Sequence, residues 1–552
     1  MTHAETDMRT KKFVFRRYAN IGAADAIEDR KFLEKSFVDN GSLEVISDVN
    51  NSICIVLGRT GSGKTALLEQ INRTEERAIK INPESLSLNY IASNNILRFF
   101  MEAGVNLDLF YRLLWRHVFA VELIREHYQI FNEEKNTDFW SQVRQLFSRD
   151  SKKQHAIEYL RKHGPSFWQE SEFRVKEVTK SIENDLTSAL DAKASPTIFG
   201  IGAEFGLNVG AVRKLTEDQK IEVVHRGQEI VDKVQMHALS KMIEILENDF
   251  LVDKQKRYFI TIDRLDENWI QDEFRYGLIK ALIDTVRDFN LGIQNVKIII
   301  SIREDLLDRV FRYTRGSGYQ EEKYKSMYLR LAWTTAELEE LLNLRVNQLI
   351  KEQYTNQTVN VVDLFPQHIQ KGDPLTYFFD RTLMRPRDAI LFFNDCITSA
   401  AGEAKFTQAI IQQAEATYSV NRLRAMADEW ATDYPNLFEL AMFLERYPTQ
   451  FRFKTLETEI EGRAYKFFLT NKTEGEIYKL ICSKLELNDI TGLTQEVLWI
   501  LFRVGVVGIK TMPHSSIVWS YLTGKLLVSD INEEALIKVH PAFWRVLGIK
   551  PT

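Results

Sequence analysis

Residues 53–68 read Ile53-Cys54-Ile55-Val56-Leu57-Gly58-Arg59-Thr60-Gly61-Ser62-Gly63-Lys64-Thr65-Ala66-Leu67-Leu68. The apolar run at the start predicts a buried strand, and the glycine-rich stretch after it predicts a tight turn that leads into a helix. The spacing is G-x-x-x-x-G-K-T, a pattern in which backbone N–H groups and the positive end of a helix face phosphate groups. The sequence therefore predicts a phosphate-binding loop between a strand and a helix.

This loop predicts a site for ATP with Mg²⁺. The Lys64 ammonium is expected to reach the β- and γ-phosphates, and the Thr65 hydroxyl is expected to coordinate Mg²⁺. Glycine at three positions lets the backbone approach the phosphates where a Cβ would clash. The residues expected to contact the nucleotide are Gly58, Arg59, Thr60, Gly61, Ser62, Gly63, Lys64, Thr65 and Ala66.

Composition limits the class of protein. A chain of 552 residues, with 44% hydrophobic and 27% charged positions, can bury several cores. Its amino-terminal residues are polar and basic, and it has no apolar run of membrane-spanning length, so we expect a cytoplasmic protein that does not enter a membrane. Three distant cysteines and ten scattered histidines predict neither disulfides nor a zinc site. A net charge of -5 leaves any nucleic-acid binding to a local patch.

A second apolar run, residues 257–263, ends in an acidic residue and is followed by more acids. We interpret it as a Walker B strand, with Asp263 holding Mg²⁺ at the carboxyl end of a parallel strand. Either Asp266 or Glu267 is expected to polarise the attacking water. The choice between these two acids stays open, with a modest preference for Glu267.

Three further groups of polar residues are candidates for contact with the nucleotide. Ser301 ends the apolar run 296–301 and Arg303 comes two residues later; both are expected to sense the γ-phosphate. Arg312 and Arg315 lie on the predicted helix that follows this run. They are candidates for an arginine finger that acts on a neighbouring subunit, although a solvated helix face explains them nearly as well. Arg385 and Arg387, at a predicted helix start, are candidates for closing over the nucleotide from a helical lid.

With these motifs in view, the chain resembles the AAA+ and STAND branch of P-loop ATPases. The matching residues are the loop at 58–65, D-x-L-D-E at 263–267, S-x-R at 301–303 and R-P-R-D at 385–388. The resemblance implies an α/β fold with a parallel sheet in the order 5-1-4-3-2 and a helical lid. More closely, the chain is similar to bacterial cytoplasmic ATPases of unassigned role, some of them linked to phage defence or DNA maintenance. Arg264 departs from the family pattern, in which a second acid often follows the Walker B aspartate.

The domain prediction has six segments. Residues 132–254 are too long for one crossover connection and are expected to form a mostly helical insertion, with a β-hairpin or mobile loop at 196–212. The predicted segments are an N-terminal helix with the first half of the ATPase core (1–131), the insertion (132–254), the second half of the core (255–333), a helical lid (334–433), a helical connection with a linker at 455–463 (434–465) and a winged-helix-like domain (466–552).

The sequence of the C-terminal segment predicts that this segment contacts protein and does not recognise DNA bases. The candidate recognition helix, 493–503, is apolar and has an acid in its first turn, whereas base edges in DNA require polar donors. Residues 506–510 and 517–522 are expected to pair as strands, with Trp519 and Tyr521 on an exposed edge.

These observations predict an ATP-hydrolysing switch that couples nucleotide state to assembly of a homo-oligomer or to contact with a protein trigger or effector. One alternative is a DNA-directed ATPase that delivers a separate effector nuclease. The other is a nucleotide-gated scaffold without turnover. DNA remains possible as a partner, although the charge of the C-terminal segment does not support it.

Overall fold

A computed structural model of the chain describes residues 13–86, 95–102, 104–147, 154–177, 179–180, 236–267, 269–314, 321–354, 356–470, 475–522 and 525–550. The hairpin expected at 196–212 and the candidate arginine finger Arg315 lie outside these residues. The contacts divide the chain into two compact units. We call them the sheet unit, Asp39–Gly58 with Lys64–Leu331, and the helical unit, Met1–Val38 with Arg59–Gly63 and Ala332–Thr552.

The sheet unit is built on five parallel strands. They are β1 (Ile55–Leu57), β2 (Ala78–Ile81), β3 (Tyr258–Ile262), β4 (Val296–Ile302) and β5 (Tyr328–Arg330). The order across the sheet is β2-β3-β4-β1-β5, and every neighbouring pair is parallel. Every residue of the three central strands is buried, which explains why most of their residues are apolar. The α/β prediction is confirmed at this level.

Helices cover this sheet and extend its core. They are Ser42–Ser47, Lys64–Thr74, Asn95–Glu102, Asp108–Tyr128, Glu133–Phe147, Gln154–His163, Met236–Ile245, Asp272–Gly292 and Glu304–Thr314. The described part of the predicted insertion is helical, as expected. Its apolar side chains, among them Phe139, Leu160 and Met242, join the same buried cluster as the strands. The insertion therefore shares a core with the sheet.

The helical unit has a core of its own. Its helices are Arg30–Lys35, Thr335–Gln353, Pro374–Phe379, Pro386–Ser399, Gln408–Glu429, Leu437–Ala441, Phe453–Glu457, Ile460–Thr470, Glu476–Glu486 and Ile490–Val504. The expected N-terminal helix is the short helix Arg30–Lys35, and before it the Asn394 side chain bonds the backbone of both Ile21 and Gly22. Residues 335–429, within the segment 334–433 that was expected to form a helical lid, contain four of these helices.

The C-terminal region, residues 450–550, holds an antiparallel sheet of β6 (Gln450–Arg452), β7 (Val507–Lys510) and β8 (Leu536–Val539), in the order β6-β8-β7. The expected partner of β7, residues 517–522, makes only an isolated bridge between Val518 and Ile509, so this strand prediction is corrected. The linker expected at 455–463 is also corrected. It lies in two helices, where Leu456, Glu457 and Ile460 are buried and Glu459 and Glu461 are exposed.

Candidate functional site

The site begins at one edge of the parallel sheet. Ile262 pairs with Ile300 across β3 and β4, and Ile300 pairs with Ile55 across β4 and β1. Asp263, the first residue after β3, therefore lies level with Ser301 on the neighbouring strand. The glycine-rich loop leaves β1 at the same edge. Since adjacent strands are spaced by about 4.8 Å, the ends of β3 and β1 are roughly 10 Å apart, with β4 between them.

The loop itself has the backbone that its glycines predict. Gly61 and Gly63 have φ angles of +78° and +97°, in the left-handed region that other residues rarely adopt. The Lys64 ammonium donates to the Gly58 carbonyl at 3.0 Å, across the base of the loop. The hydroxyls of Thr60 and Ser62 are buried, and neither has a hydrogen-bond partner among the residues that the structure describes.

Residues 59–63 of this loop group with the helical unit, although the strand before them and the helix after them belong to the sheet unit. Three successive carbonyls explain the grouping. Thr60 O accepts from Arg385 Nη1 at 2.7 Å, Gly61 O accepts from the Arg387 backbone N–H at 3.3 Å, and Ser62 O accepts from Trp333 Nε1 at 2.8 Å. The outer side of the loop is thus bonded residue by residue to the helical unit.

Arg387 also explains why position 61 is glycine. A Cβ added to Gly61 would lie 2.6 Å from the Cβ of Arg387, a distance that real side chains do not tolerate. The Arg387 guanidinium continues to the Ala24 carbonyl, to which Nε donates at 3.3 Å. Burial, with Arg385 nearby, lowers the pKa of Arg387. The expected lid arginine therefore lies against the loop backbone.

Arg385 has a different place from the one expected of a lid residue. It is buried, and its Nε and Nη2 donate to the Asp388 carboxylate at 2.8 and 3.4 Å. Arg422 donates to the same carboxylate at 2.8 Å, and Glu429 lies 3.9 Å from both guanidiniums. Burial alone would raise the pKa of Asp388, but the two arginines hold it well below its usual range. Arg385 is thus built into an ion network that supports Thr60.

The Walker B candidate Asp263 is half-buried and accepts a hydrogen bond from the Ser301 hydroxyl. This contact brings two of the predicted site residues together. Thr261, two residues earlier on β3, bonds the side chain of Asn72 on the helix Lys64–Thr74, so the strand is fixed against the helix that follows the loop. The acid directly follows β3 and the serine lies in β4, two strands whose residues are all buried.

Both candidates for the catalytic base are paired with arginines. Arg264 has a φ of +62° and lies with Nη1 3.3 Å from the Glu267 carboxylate. Arg303 lies 3.6 Å from the Asp266 carboxylate. Partial burial raises the pKa of Glu267 against the effect of Arg264, and Asp266, Glu84 and Asp263 raise it further.

Arg303 is held mainly by a residue that sequence reasoning missed. Its Nε and Nη2 donate to the two oxygens of Asp305, each at 2.9 Å, and Arg309 donates to the same carboxylate at 3.0 Å. One sequence feature could have indicated this role of Asp305: it is an acid in the first turn of the helix after β4, two residues from Arg303. Arg312 is exposed in the last turn of that helix.

In the C-terminal region, the candidate recognition helix 493–503 lies within a longer helix. The helix Ile490–Val504 is buried along most of its length. Its one arginine, Arg503, donates to the Tyr434 hydroxyl at 2.7 Å and lies over the rings of Trp430, Tyr434 and Trp499. Trp519 and Tyr521 are half-buried against His540, which corrects the expectation of an exposed edge.

The described residues contain no group of three or more His, Cys, Asp or Glu side chains that could hold a metal ion. No helix in the part of the chain that the structure describes has both the length and the apolar character needed to cross a membrane.

Comparison with known proteins gave two matches. Residues 336–427 match the model of the FunZ-associated C-terminal helical domain, which covers the helices that carry Arg385 and Arg387. The chain is also 22% identical, over 539 residues, to a putative transposon gamma-delta 80.3 kDa protein of Escherichia coli strain K12. That likeness spans 96% of this chain and 67% of the relative. The chain is therefore similar to this transposon protein, and its residues 336–427 are similar to the FunZ-associated C-terminal helical domain.

Proposed function

We propose that this protein binds and hydrolyses ATP and uses the nucleotide state to change its contacts with other copies of itself or with a protein partner. The observation that carries the proposal is the convergence at one sheet edge of the glycine-rich loop, Asp263 and Ser301. In open parallel sheets, ligands bind at the carboxyl ends of the strands. Read from β5, the strand order is 5-1-4-3-2, the order that the resemblance to AAA+ ATPases implies, and it supports the proposal.

The residues present fit Mg·ATP. Gly61 and Gly63 give the loop the left-handed turns of a phosphate cradle, and the buried hydroxyls of Thr60 and Ser62 stand in a polar setting without a protein partner among the described residues. Magnesium at such sites is held by one or two side chains together with phosphate oxygens, so no larger acidic cluster is needed.

In this proposal Thr65 and Asp263 hold Mg²⁺, and Lys64 exchanges the Gly58 carbonyl for phosphate oxygens. When bound, the metal neutralises charge that develops on the phosphates. Ser301 orients the Asp263 carboxylate through its hydrogen bond. Glu267, with its raised pKa, accepts the proton of water once Arg264 releases it.

A titration of Mg·ATP into the wild-type protein and the variant Lys64→Ala tests the proposal. Loss of a charge-assisted contact should weaken binding at least about tenfold. Lys80→Ala is the matched control, because Lys80 lies on β2 of the same unit and pairs with Glu69 on its surface. Equal affinity in the wild type and Lys64→Ala would end the proposal.

One observation favours a second candidate, a DNA-directed ATPase that acts with a separate effector nuclease: the likeness to a transposon protein. Under this candidate, duplex DNA should raise the rate of ATP hydrolysis. A biological role in antiviral defence or in DNA maintenance is part of the same proposal and rests on the resemblance alone. A rate that DNA leaves unchanged favours the switch, and absence of turnover with intact nucleotide binding favours a gated scaffold.

A further inference from the structure

Arg59, the second residue of the glycine-rich motif, extends to the C-terminal region of the chain. Its Nη2 donates to the carbonyl of Val504 at 2.8 Å, between residues 445 positions apart. Val504 is the last residue of the helix Ile490–Val504, and Gly505 ends that helix with a φ of +92°. The last carbonyls of a helix have no partner inside it and form its negative end. Arg59 therefore caps this helix with a charged donor.

The same guanidinium lies on an aromatic side chain. Its carbon is 5.6 Å from the centre of the Tyr521 ring, a cation–π distance. The Tyr521 hydroxyl lies 3.0 Å from His540 Nε2, and His540 Nδ1 accepts from the backbone N–H of Ala542 at 3.2 Å. Because Nδ1 accepts, Nε2 carries the proton of the neutral ring and donates to Tyr521. The surface beneath Arg59 is thus fixed by a chain of hydrogen bonds.

Arg59 remains charged in this place. Burial and the nearby Arg385 lower its pKa to about 10, still above neutral pH. A buried guanidinium with a defined acceptor and a defined ring is costly to move elsewhere. The sequence predicts that Arg59 contacts the nucleotide. In the structure, its side chain is directed to the C-terminal region instead.

The backbone of the next three residues is bonded on the same outer side, to Arg385, Arg387 and Trp333. Arg59 precedes these three residues in the loop and adds a contact to the C-terminal region, with Val504 and Tyr521. A loop whose N–H groups must all face one ligand depends on such anchors for its shape.

We infer that the C-terminal region sets the conformation of the phosphate-binding loop through Arg59 and Tyr521, and that these two are positioning residues for nucleotide binding. The inference rests on the proposed function. Thermodynamic linkage makes the effect reciprocal: if the contact favours nucleotide binding, bound nucleotide stabilises the contact by the same factor.

The experiment is a double-mutant cycle on nucleotide affinity, with the full chain and Mg·ATP. Arg59→Ala and Tyr521→Leu should each weaken binding about tenfold, and the double variant should be no weaker than the worse single variant, because Tyr521 acts on the loop only through Arg59. Tyr521→Phe keeps the ring and loses only the bond to His540, so it should bind like the wild type. Arg59→Lys should recover part of the affinity.

Two controls separate this contact from general loss of stability. Arg446→Ala removes an exposed arginine of the same unit and should change nothing. Hydrogen exchange of the amides of residues 505–510 should slow when Mg·ATP is added to the wild type and should not respond to it in Arg59→Ala. Additive losses in the cycle, or a wild-type affinity in Arg59→Ala, would overturn the inference while Lys64→Ala still reports on the proposed function. If Lys64→Ala binds normally as well, the proposed function itself fails.

Discussion

Replacing Asp388 by Asn should destabilise the helical unit more than any exposed charge could. Asp388 is completely buried and accepts from Arg385 Nε and Arg422 Nη1, each at 2.8 Å, and from the Leu383 backbone N–H at 3.3 Å. Asparagine preserves the volume but leaves Glu429, at 3.9 Å, as the remaining carboxylate beside the two buried guanidiniums among the described residues. Breaking a buried ion network by removal of one partner costs about 3–5 kcal/mol.

That cost is a large part of the stability of a domain, which is typically about 5–15 kcal/mol. It should appear as a lower urea midpoint at pH 7, followed by circular dichroism and tryptophan fluorescence together. Glu476→Gln is the matched control, because its carboxylate is 73% exposed and lies 3.6 Å from Lys479. Loss of such a surface pair should cost no more than about 0.5 kcal/mol.

The pH dependence gives a second check on Asp388. Its folded-state pKa is held below the unfolded value, so its contribution is present above the unfolded pKa of about 3.9 and is lost as the pH falls through the folded pKa. The difference between the wild type and Asp388→Asn should therefore persist from pH 8 to pH 5 and shrink under strongly acidic conditions. A difference below about 1 kcal/mol at pH 7 would refute the assignment of a buried, charged network.

Three further predictions concern the site and the C-terminal region. Glu267→Gln should retain Mg·ATP binding and stop turnover, whereas Asp263→Asn should weaken the magnesium-dependent part of binding; if Asp266→Asn alone stops turnover, the base is the other acid. ATP should drive assembly of the wild type, as measured by sedimentation, and Arg312→Ala should assemble but not hydrolyse ATP. A monomer with full ATPase activity would exclude Arg312 as an arginine finger. Burial lowers the pKa of His540 to about 3. As the pH falls below about 6.5, His540 is therefore protonated in the unfolded chain but not in the folded one. The free energy of unfolding should drop by about 2 kcal/mol between pH 7 and pH 5. His540→Gln should reduce that slope, and an unchanged slope would contradict a neutral, buried ring.

The sequence alone determined the sheet unit in outline. β1, β3 and β4 are strands buried on both faces, so most of their residues are apolar and the strands are easily recognised. The loop after β1 was equally clear, because backbone geometry with positive φ demands glycine at fixed positions. Asp263 and Ser301 could be placed together because residues that follow neighbouring parallel strands meet at one edge.

Only the tertiary structure decided what surrounds the loop. No local pattern connects Arg59 to Val504, Trp333 to Ser62 or Arg385 to Thr60, because each contact joins residues that chain folding alone brings together. Charged residues were the hardest to place. Arg385, at a predicted helix start, was expected to close over the nucleotide, and its partner is a buried carboxylate three residues later. Sequence periodicity records which positions are buried in a strand or helix, whereas the direction of a long, charged side chain depends on which acceptors the fold places within its reach.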